Sequence, residues 1–205
     1  MIKIGVLVSG RGSNLESILA SIEAGAIKGA EVAVVISDRP GVKALGVARA
    51  HAVEALTLEA RGLTREDYGL KLSRLLRRHG VAQGHGLVLL AGFMRVLSAN
   101  FVKQYDGRII NIHPSLLPSF PGLEAQRQAL GYGAKVSGCT VHFVVADLDA
   151  GPIIAQKAVP VLEEDDEESL SARILKQEHR LYPEAVKLFV QGRLRIEGRR
   201  VVVSK

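Results

Sequence analysis

Three polar residues, Asn111, His113 and Asp149, are the chemically most informative feature of the sequence. Asn111 and His113 lie two positions apart in an apolar segment, and side chains two apart in a strand project from the same face. Pro114 then ends the strand, because proline cannot donate to the strand ladder. An amide beside an imidazole at a strand end can stabilise an oxyanion and move a proton. Asp149 can orient the imidazole and favour its protonated form, because a nearby carboxylate raises a histidine pKa.

A glycine-containing turn joins the first predicted strand to the first predicted helix, and it consists of Gly10, Arg11, Gly12, Ser13 and Asn14. Backbone N–H groups at a helix start attract anions, and glycines let the backbone approach a phosphate closely. Ser13 or Asn14 can add a donor or serve as the helix N-cap, and Arg11 can add charge. The same turn is equally typical of a tight strand–helix connection. A nicotinamide dinucleotide is disfavoured, because Leu15 replaces the third glycine of its fingerprint and Asp38 lies too late.

Strand and helix patterns alternate along the chain. Strands are predicted over residues 3–9, 31–37, 55–58, 86–91, 107–113, 137–145 and 153–161, with a hairpin of 194–196 and 199–203. Helices are predicted over residues 15–24, 42–51, 64–79, 98–105, 123–131 and 169–191, the third opening with a capping box at Thr64. This alternation predicts a single domain over residues 1–205 with an α/β fold, in which an open, twisted, mostly parallel sheet carries helices on both faces.

The composition narrows the classes of function. The 205 residues are 47% hydrophobic and 23% charged, no apolar run reaches membrane-spanning length, and no targeting peptide is recognised at the N-terminus. The one cysteine, Cys139, excludes an intrachain disulfide and a cysteine-based zinc site, and we expect a cytoplasmic protein. The net charge of +6 is dispersed and aromatic residues are few, which favours a solvated basic surface over nucleic-acid binding. No metal is predicted, because no cluster has metal-ligand spacing.

Several motifs occur together in a fixed order. An isolated Asn-x-His pair is more often a satisfied polar strand edge than a site, but here it belongs to the longer string Asn-Ile-His-Pro-Ser-Leu-Leu-Pro at residues 111–118. Pro-Gly at 121–122 and Asp-Leu-Asp-Ala-Gly-Pro at 147–152 follow. With Ser-Gly-Arg-Gly-Ser-Asn-Leu at 9–15 and Gln-Glu-His at 177–179, the set resembles the folate-dependent formyltransferase family, and most closely its members that act on glycinamide ribonucleotide. The resemblance covers nearly the full chain.

The resemblance implies an enzyme of de novo purine biosynthesis that transfers the formyl group of 10-formyltetrahydrofolate to the amine of 5-phosphoribosylglycinamide. It implies small-molecule partners only, no nucleic acid or membrane, and a monomer or homodimer. The catalytic residues would be Asn111, His113 and Asp149. The ribonucleotide would bind Gly10, Arg11, Gly12, Ser13, Asn14, Lys176 and Glu178. The folate would bind Arg65, Met94, Arg95, Val96, Leu97, Asn111, Val145, Ala146, Asp147, Leu148 and Asp149.

Three rival functions remain open from the sequence. A formyltetrahydrofolate deformylase would use water as the acceptor, and such enzymes usually carry an additional N-terminal domain. Formylation of initiator methionyl-tRNA would be accompanied by a further C-terminal domain and by a different sequence after Pro118. A non-catalytic nucleotide- or RNA-binding α/β protein would need none of Asn111, His113 and Asp149.

Overall fold

The computed structural model describes residues 1–204 and contains nine strands and six helices in that range. The strands are β1 (Ile2–Val8), β2 (Ala30–Ser37), β3 (Ala55–Thr57), β4 (Leu87–Leu90), β5 (Ile109–His113), β6 (Val136–Phe143), β7 (Ile153–Pro160), β8 (Leu194–Glu197) and β9 (Arg200–Val203). The helices are α1 (Ser13–Glu23), α2 (Lys43–Ala50), α3 (Arg65–Arg78), α4 (Ala99–Gln104), α5 (Ala125–Tyr132) and α6 (Glu167–Val190). Every predicted element is present, and its ends lie within two residues of the prediction.

All nine strands form one sheet in the order β3-β2-β1-β4-β5-β6-β7-β9-β8. The first five strands in this order pair in parallel, whereas β6 runs antiparallel to both β5 and β7. The outer pair β8–β9 is an antiparallel hairpin that joins β7 through β9. The predicted mostly parallel α/β sheet is confirmed.

Helices cover both faces of the sheet, as predicted. Successive β1 residues point to opposite sides, so Val6 and Leu7 belong to different cores. The Val6 core includes the buried faces of α1 and α6, whereas the Leu7 core includes α3 and α4. Each core excludes water from one face of the central strands, which explains why these strands are nearly continuous apolar runs.

The carboxyl ends of β1, β4 and β5 meet at one edge of the sheet. The strands that follow β1 in the chain, β2 and β3, lie on one side of it, whereas β4 and β5 lie on its other side. The strand order therefore reverses between β1 and β4, and a crevice opens there. Tyr182 of α6 links β4 to β5 near this edge. Its buried hydroxyl lies 3.0 Å from the Leu90 carbonyl oxygen and 2.9 Å from that of Ile110. One hydroxyl proton is shared between the two strands, and the loops after them therefore start from fixed positions.

Two helix starts test the predicted caps. Thr64 caps α3, because its hydroxyl accepts a hydrogen bond from the Asp67 backbone N–H at 3.1 Å, but the predicted capping box is incomplete, since the Asp67 carboxylate accepts from the Thr64 hydroxyl and not from the Thr64 backbone N–H. The prediction that Ser13 or Asn14 caps α1 is wrong: Gly12 is the N-cap, and it makes no side-chain hydrogen bond. Gly12 has φ +85°, and a Cβ atom there would lie 2.7 Å from the Cα atom of Ala44. Glycine is required because the turn after β1 passes against α2 in a left-handed conformation.

Within residues 1–204, none of the helices combines the length and the apolar character needed to cross a membrane. In the same range, no three His, Cys, Asp or Glu side chains come together in a group that could hold a metal ion.

Candidate active site

The structure brings Asn111, His113 and Asp149 together at the carboxyl end of β5. Asn111 and His113 share a face of β5, with Ile112 turned into the core between them. Asp149 lies in the loop between β6 and β7, and its Oδ2 atom is 3.6 Å from His113 Nδ1. Both side chains of this ion pair are less than a tenth exposed. The predicted catalytic trio is therefore one spatial cluster with little access to solvent.

His142 completes the cluster from the neighbouring strand. It pairs directly with Asn111 across the β5–β6 ladder. His142 Nδ1 donates to the Phe143 carbonyl oxygen at 2.9 Å, so Nε2 is left to accept from Asn111 Nδ2 at 3.2 Å. Burial lowers the pKa of His142, which keeps the ring neutral and fixes this pattern. His142 is thus a buried, hydrogen-bonded histidine that orients the Asn111 amide.

The backbone around Asp149 is held by close contacts on two sides. Asp149 adopts φ +50°, and its Oδ2 atom accepts a hydrogen bond from the Gly122 N–H at 2.8 Å. On the other side, the Phe143 N–H donates to the Pro152 carbonyl oxygen at 2.9 Å. Gly151, the residue before Pro152, packs closely against the Phe143 carbonyl group. The two loops that carry Asp149 and Gly122 are thus joined at the carboxylate.

Replacing Gly151 by alanine is expected to destabilise the protein by on the order of 3 kcal/mol, because the added atom has no room. A Cβ atom at Gly151 would lie 1.8 Å from the Phe143 carbonyl oxygen, and backbone rather than a flexible side chain would have to move. Gly131 is the matched control, since it lies in α5 with open space around its Cβ position. Denaturant unfolding of both variants measures the difference, and equal midpoints would contradict the packing argument.

A cleft of about 520 Å³, which includes space open to solvent, lies next to the cluster. Its lining contains most of the residues predicted to bind folate, namely Arg95, Val96, Leu97, Asn111, Val145, Ala146, Asp147, Leu148 and Asp149. Two predicted residues, Met94 and Arg65, are exposed and do not line it. The lining also includes residues that the prediction omitted, namely Leu90, Phe93, Val102, His142 and Val144. Phe93 is an apolar residue directly before the predicted folate residues 94–97, and that position in the sequence was the available signal.

The side chain of Arg95 is anchored at the rim of the cleft. Its guanidinium carbon lies 5.1 Å from the centre of the Tyr68 ring, within cation–π distance. The adjacent Met94 N–H donates to the Ser9 hydroxyl at 2.9 Å, and the Ser9 N–H donates to the Gly92 carbonyl oxygen at 3.0 Å. These bonds join the loop after β4 to the turn after β1. The predicted folate and phosphate sites are therefore neighbours.

The turn after β1 contacts α6 through a buried polar pair. Asn14 Nδ2 donates to Glu178 Oε2 at 2.7 Å, although the two residues are 164 positions apart. The Asn14 Oδ1 atom is buried without a protein partner. Lys176 is exposed two positions before Glu178, and Arg11 is exposed on the turn itself. Of the residues assigned to the ribonucleotide by resemblance, Asn14 and Glu178 are in direct contact and link the turn to α6, whereas Lys176 lies on a different face of α6.

Burial raises the pKa of Glu178, while the hydrogen bond from Asn14 opposes that shift. A raised pKa in the folded state means that ionising Glu178 opposes folding. The free energy of unfolding therefore decreases as the pH rises from the ordinary glutamate value of 4.5 through the folded pKa.

Replacing Glu178 by glutamine is consequently expected to raise the melting temperature at pH 8. The amide oxygen can still accept from Asn14, so no buried partner is lost. The gain should vanish at pH 4, where the wild-type carboxyl is protonated in both states. Glu184 is an exposed position on the same helix, and Glu184→Gln controls for a general loss of negative charge. A gain that is the same at both pH values would refute this account.

Comparison with known proteins shows which proteins this chain resembles. The family model described as Formyl transferase matches residues 2–186. The structure of glycinamide ribonucleotide transformylase 1 from Symbiobacterium toebii superposes with a TM-score of 0.95 at 53% identity, and the match covers 100% of this chain and 95% of that one. Phosphoribosylglycinamide formyltransferase from Escherichia coli (strain K12) is 43% identical over 194 residues, which are 94% of this chain and 89% of that protein.

A longer relative matches as well. Trifunctional purine biosynthetic protein adenosine-3 from Drosophila melanogaster is 47% identical over 192 residues, which are 93% of this chain. The matched part is only 14% of that protein, so this chain spans a small fraction of the trifunctional relative's length. The family model match and the two bacterial relatives extend over nearly all of the chain and include the elements that carry Asn111, His113 and Asp149. The chain belongs to the formyl transferase family.

Proposed function

We propose that this protein transfers the formyl group of 10-formyltetrahydrofolate to the amine of 5-phosphoribosylglycinamide, a step of de novo purine biosynthesis. The observation that carries the proposal is the meeting of Asn111, His113 and Asp149 between a cleft and a glycine-containing turn. A donor in the cleft and an acceptor on the turn would both present their reacting atoms to this cluster. The names of the bacterial relatives, which are transformylases of glycinamide ribonucleotide, support the same pair of substrates.

The cleft suits the pteridine end of the folate. Apolar side chains line it together with a few polar groups, a combination that is typical of small-molecule sites. Backbone groups of Arg95 and Leu97 would contact the polar edge of the ring, while Val96 and Leu148 pack against its faces. The Arg95 side chain at the rim supplies positive charge toward the carboxylates of the folate tail. Arg65, which is exposed at the start of α3, would contribute further along that tail.

The turn after β1 suits the phosphate of the ribonucleotide. The N-terminus of α1 carries partial positive charge and free N–H groups, and Gly10 and Gly12 allow a phosphate to come close to the backbone. Ser13, Arg11 and Lys176 would add donors and charge. Glu178 would accept hydrogen bonds from the ribose hydroxyls, since only one of its oxygens is engaged by Asn14.

The reaction requires stabilisation of an oxyanion and transfer of one proton. The amine lone pair attacks the formyl carbon, and the carbonyl electrons move to oxygen. Asn111 Nδ2 carries two hydrogens, of which one is donated to His142, so the other is free for the oxyanion. Collapse of the intermediate breaks the bond between carbon and N10 of the folate. His113, paired with Asp149, moves the proton from the attacking nitrogen to N10.

The proposal is tested by mixing the purified protein with 10-formyltetrahydrofolate, with and without 5-phosphoribosylglycinamide, and by following formyl loss through absorbance. Loss that depends on the ribonucleotide is the expected result. Loss without the ribonucleotide would instead indicate a deformylase. No loss in either mixture would overturn the proposal and favour a non-catalytic nucleotide- or RNA-binding function.

A further inference from the structure

The two ring nitrogens of His113 have chemically different partners. Nε2 lies 2.9 Å from the Phe120 carbonyl oxygen, and a carbonyl only accepts hydrogen bonds. Nε2 therefore carries a hydrogen whether the ring is neutral or charged. Nδ1 faces Asp149 Oδ2 at 3.6 Å and is the nitrogen that gains or loses a proton. Both partners only accept, but the Phe120 carbonyl lies within hydrogen-bond distance and the Asp149 carboxylate does not, so the carbonyl decides the tautomer of the neutral ring.

This carbonyl belongs to a backbone conformation that phenylalanine rarely adopts. Phe120 has φ +54°, in the left-handed region where a side chain is strained. Such a conformation persists only where surrounding contacts impose it. The Ser115 hydroxyl donates its one hydrogen mainly to the Ser119 carbonyl oxygen at 2.6 Å and more weakly to that of Phe120 at 3.3 Å, so it holds the two consecutive carbonyl groups that include the partner of His113.

Ser115 is itself fixed by a second set of bonds. It is fully buried, and its carbonyl oxygen accepts from the Thr140 hydroxyl at 2.7 Å. The Leu117 N–H donates to the same Thr140 oxygen at 3.0 Å, and Gln156 Nε2 donates to the Leu117 carbonyl oxygen at 2.8 Å. The loop after β5 is therefore attached to β6 and β7, and the Ser115 hydroxyl projects from this fixed base toward residues 119 and 120.

We propose that Ser115 is a positioning residue, which holds the Phe120 carbonyl so that His113 carries its permanent hydrogen on Nε2 and exchanges protons through Nδ1. The tautomer can be measured without any substrate. The catalytic consequence rests on the proposed formyl transfer: with the wrong tautomer, the hydrogen would sit on Nδ1 and the free lone pair would face the Phe120 carbonyl, so the nitrogen beside Asp149 could not accept a proton.

The test uses ¹⁵N-histidine labelling and long-range ¹H–¹⁵N correlation spectra, which distinguish the two neutral tautomers. The wild-type protein is expected to show His113 with a protonated Nε2 and an unprotonated Nδ1 at high pH. Ser115→Ala should shift both nitrogens toward the averaged values of a tautomer mixture. Ser115→Cys, which fills the space but is a weak donor, should give an intermediate shift and provides the measurement if the alanine variant does not fold. Ser21→Ala is the control, since it removes a partly buried hydrogen bond from the Ser21 hydroxyl to the Ser17 carbonyl oxygen in α1.

Activity supplies the second readout. We expect Ser115→Ala to lower kcat by about tenfold or more with little change in KM, because general acid–base catalysis contributes ~10²–10⁴-fold and depends on the correct protonation site. A wild-type tautomer signature in both Ser115 variants would overturn the proposal, even if kcat fell. If the tautomer follows Ser115 while the wild-type protein transfers no formyl group, the positioning role stands and the proposed function fails.

Discussion

Asp149→Asn is expected to lower kcat by roughly 10²–10⁴-fold, which is the usual contribution of a group that governs proton transfer. The substitution changes the charge and little else. Asparagine tolerates the left-handed conformation at φ +50°, and its amide oxygen can replace Oδ2 as the acceptor of the Gly122 N–H at 2.8 Å. The loop therefore keeps its place, while His113 loses the negative charge 3.6 Å from Nδ1 that stabilises an imidazolium.

Steady-state kinetics with both substrates measure this loss, and KM is expected to stay within about threefold, since the charge acts on the transition state. Asp106→Asn is the control. It removes one negative charge at an exposed position before β5, at the end of that strand opposite His113. Near-normal kcat in Asp149→Asn would remove Asp149 from the proposed mechanism. An equal loss in the control would assign the effect to the net charge of the protein.

His113→Ala is expected to lower kcat by a similar ~10²–10⁴-fold, because it removes both the proton carrier and the positive charge near the oxyanion. The side chain is buried and held between Phe120 and Asp149, so a water molecule that replaces it would have neither its position nor its basicity. The fold should survive, because β5 is fixed by its ladder bonds to β4 and β6 rather than by this side chain.

Binding and turnover separate the interpretations of this variant. Calorimetric titration with the ribonucleotide is expected to give an affinity within about threefold of wild type, since the lost interaction belongs to the transition state. His85→Ala, at an exposed position before β4, is the control and should retain full turnover. Turnover that persists in His113→Ala would mean that another group moves the proton. A large loss of affinity together with a lower melting temperature would indicate a structural role instead.

The outline of the fold could be predicted from local sequence. The continuous apolar run of β1, the glycines that follow it and the amphipathic pattern of α1 each depend on neighbouring residues. Strand and helix periodicity reflect which side of the backbone a side chain leaves, so they are visible without tertiary structure. The N-cap of α1 was predicted wrongly for the same reason: Ser13 is a good capping residue in isolation, but the close passage of Gly12 against α2 decides where the helix begins.

The orientation of β6 could not be predicted. A long connection with one helix joins β5 to β6, and such a connection is typical of a parallel pair. The structure instead has an antiparallel pair. This reversal places His142 opposite Asn111 and returns the chain at Asp149 to the end of β5.

The sequence by itself determined the kinds of groups that the protein can use and the local elements that carry them. Asn111 and His113 share a face because they lie two apart in a strand, and that follows from backbone geometry alone. Only the tertiary structure decided which distant groups meet them. Asn14 reaches Glu178, Asp149 reaches His113, and a carbonyl and an N–H of the loop after β5 complete the site. Such contacts depend on the order of strands in the sheet and on backbone atoms that every residue has, so residue type does not reveal them.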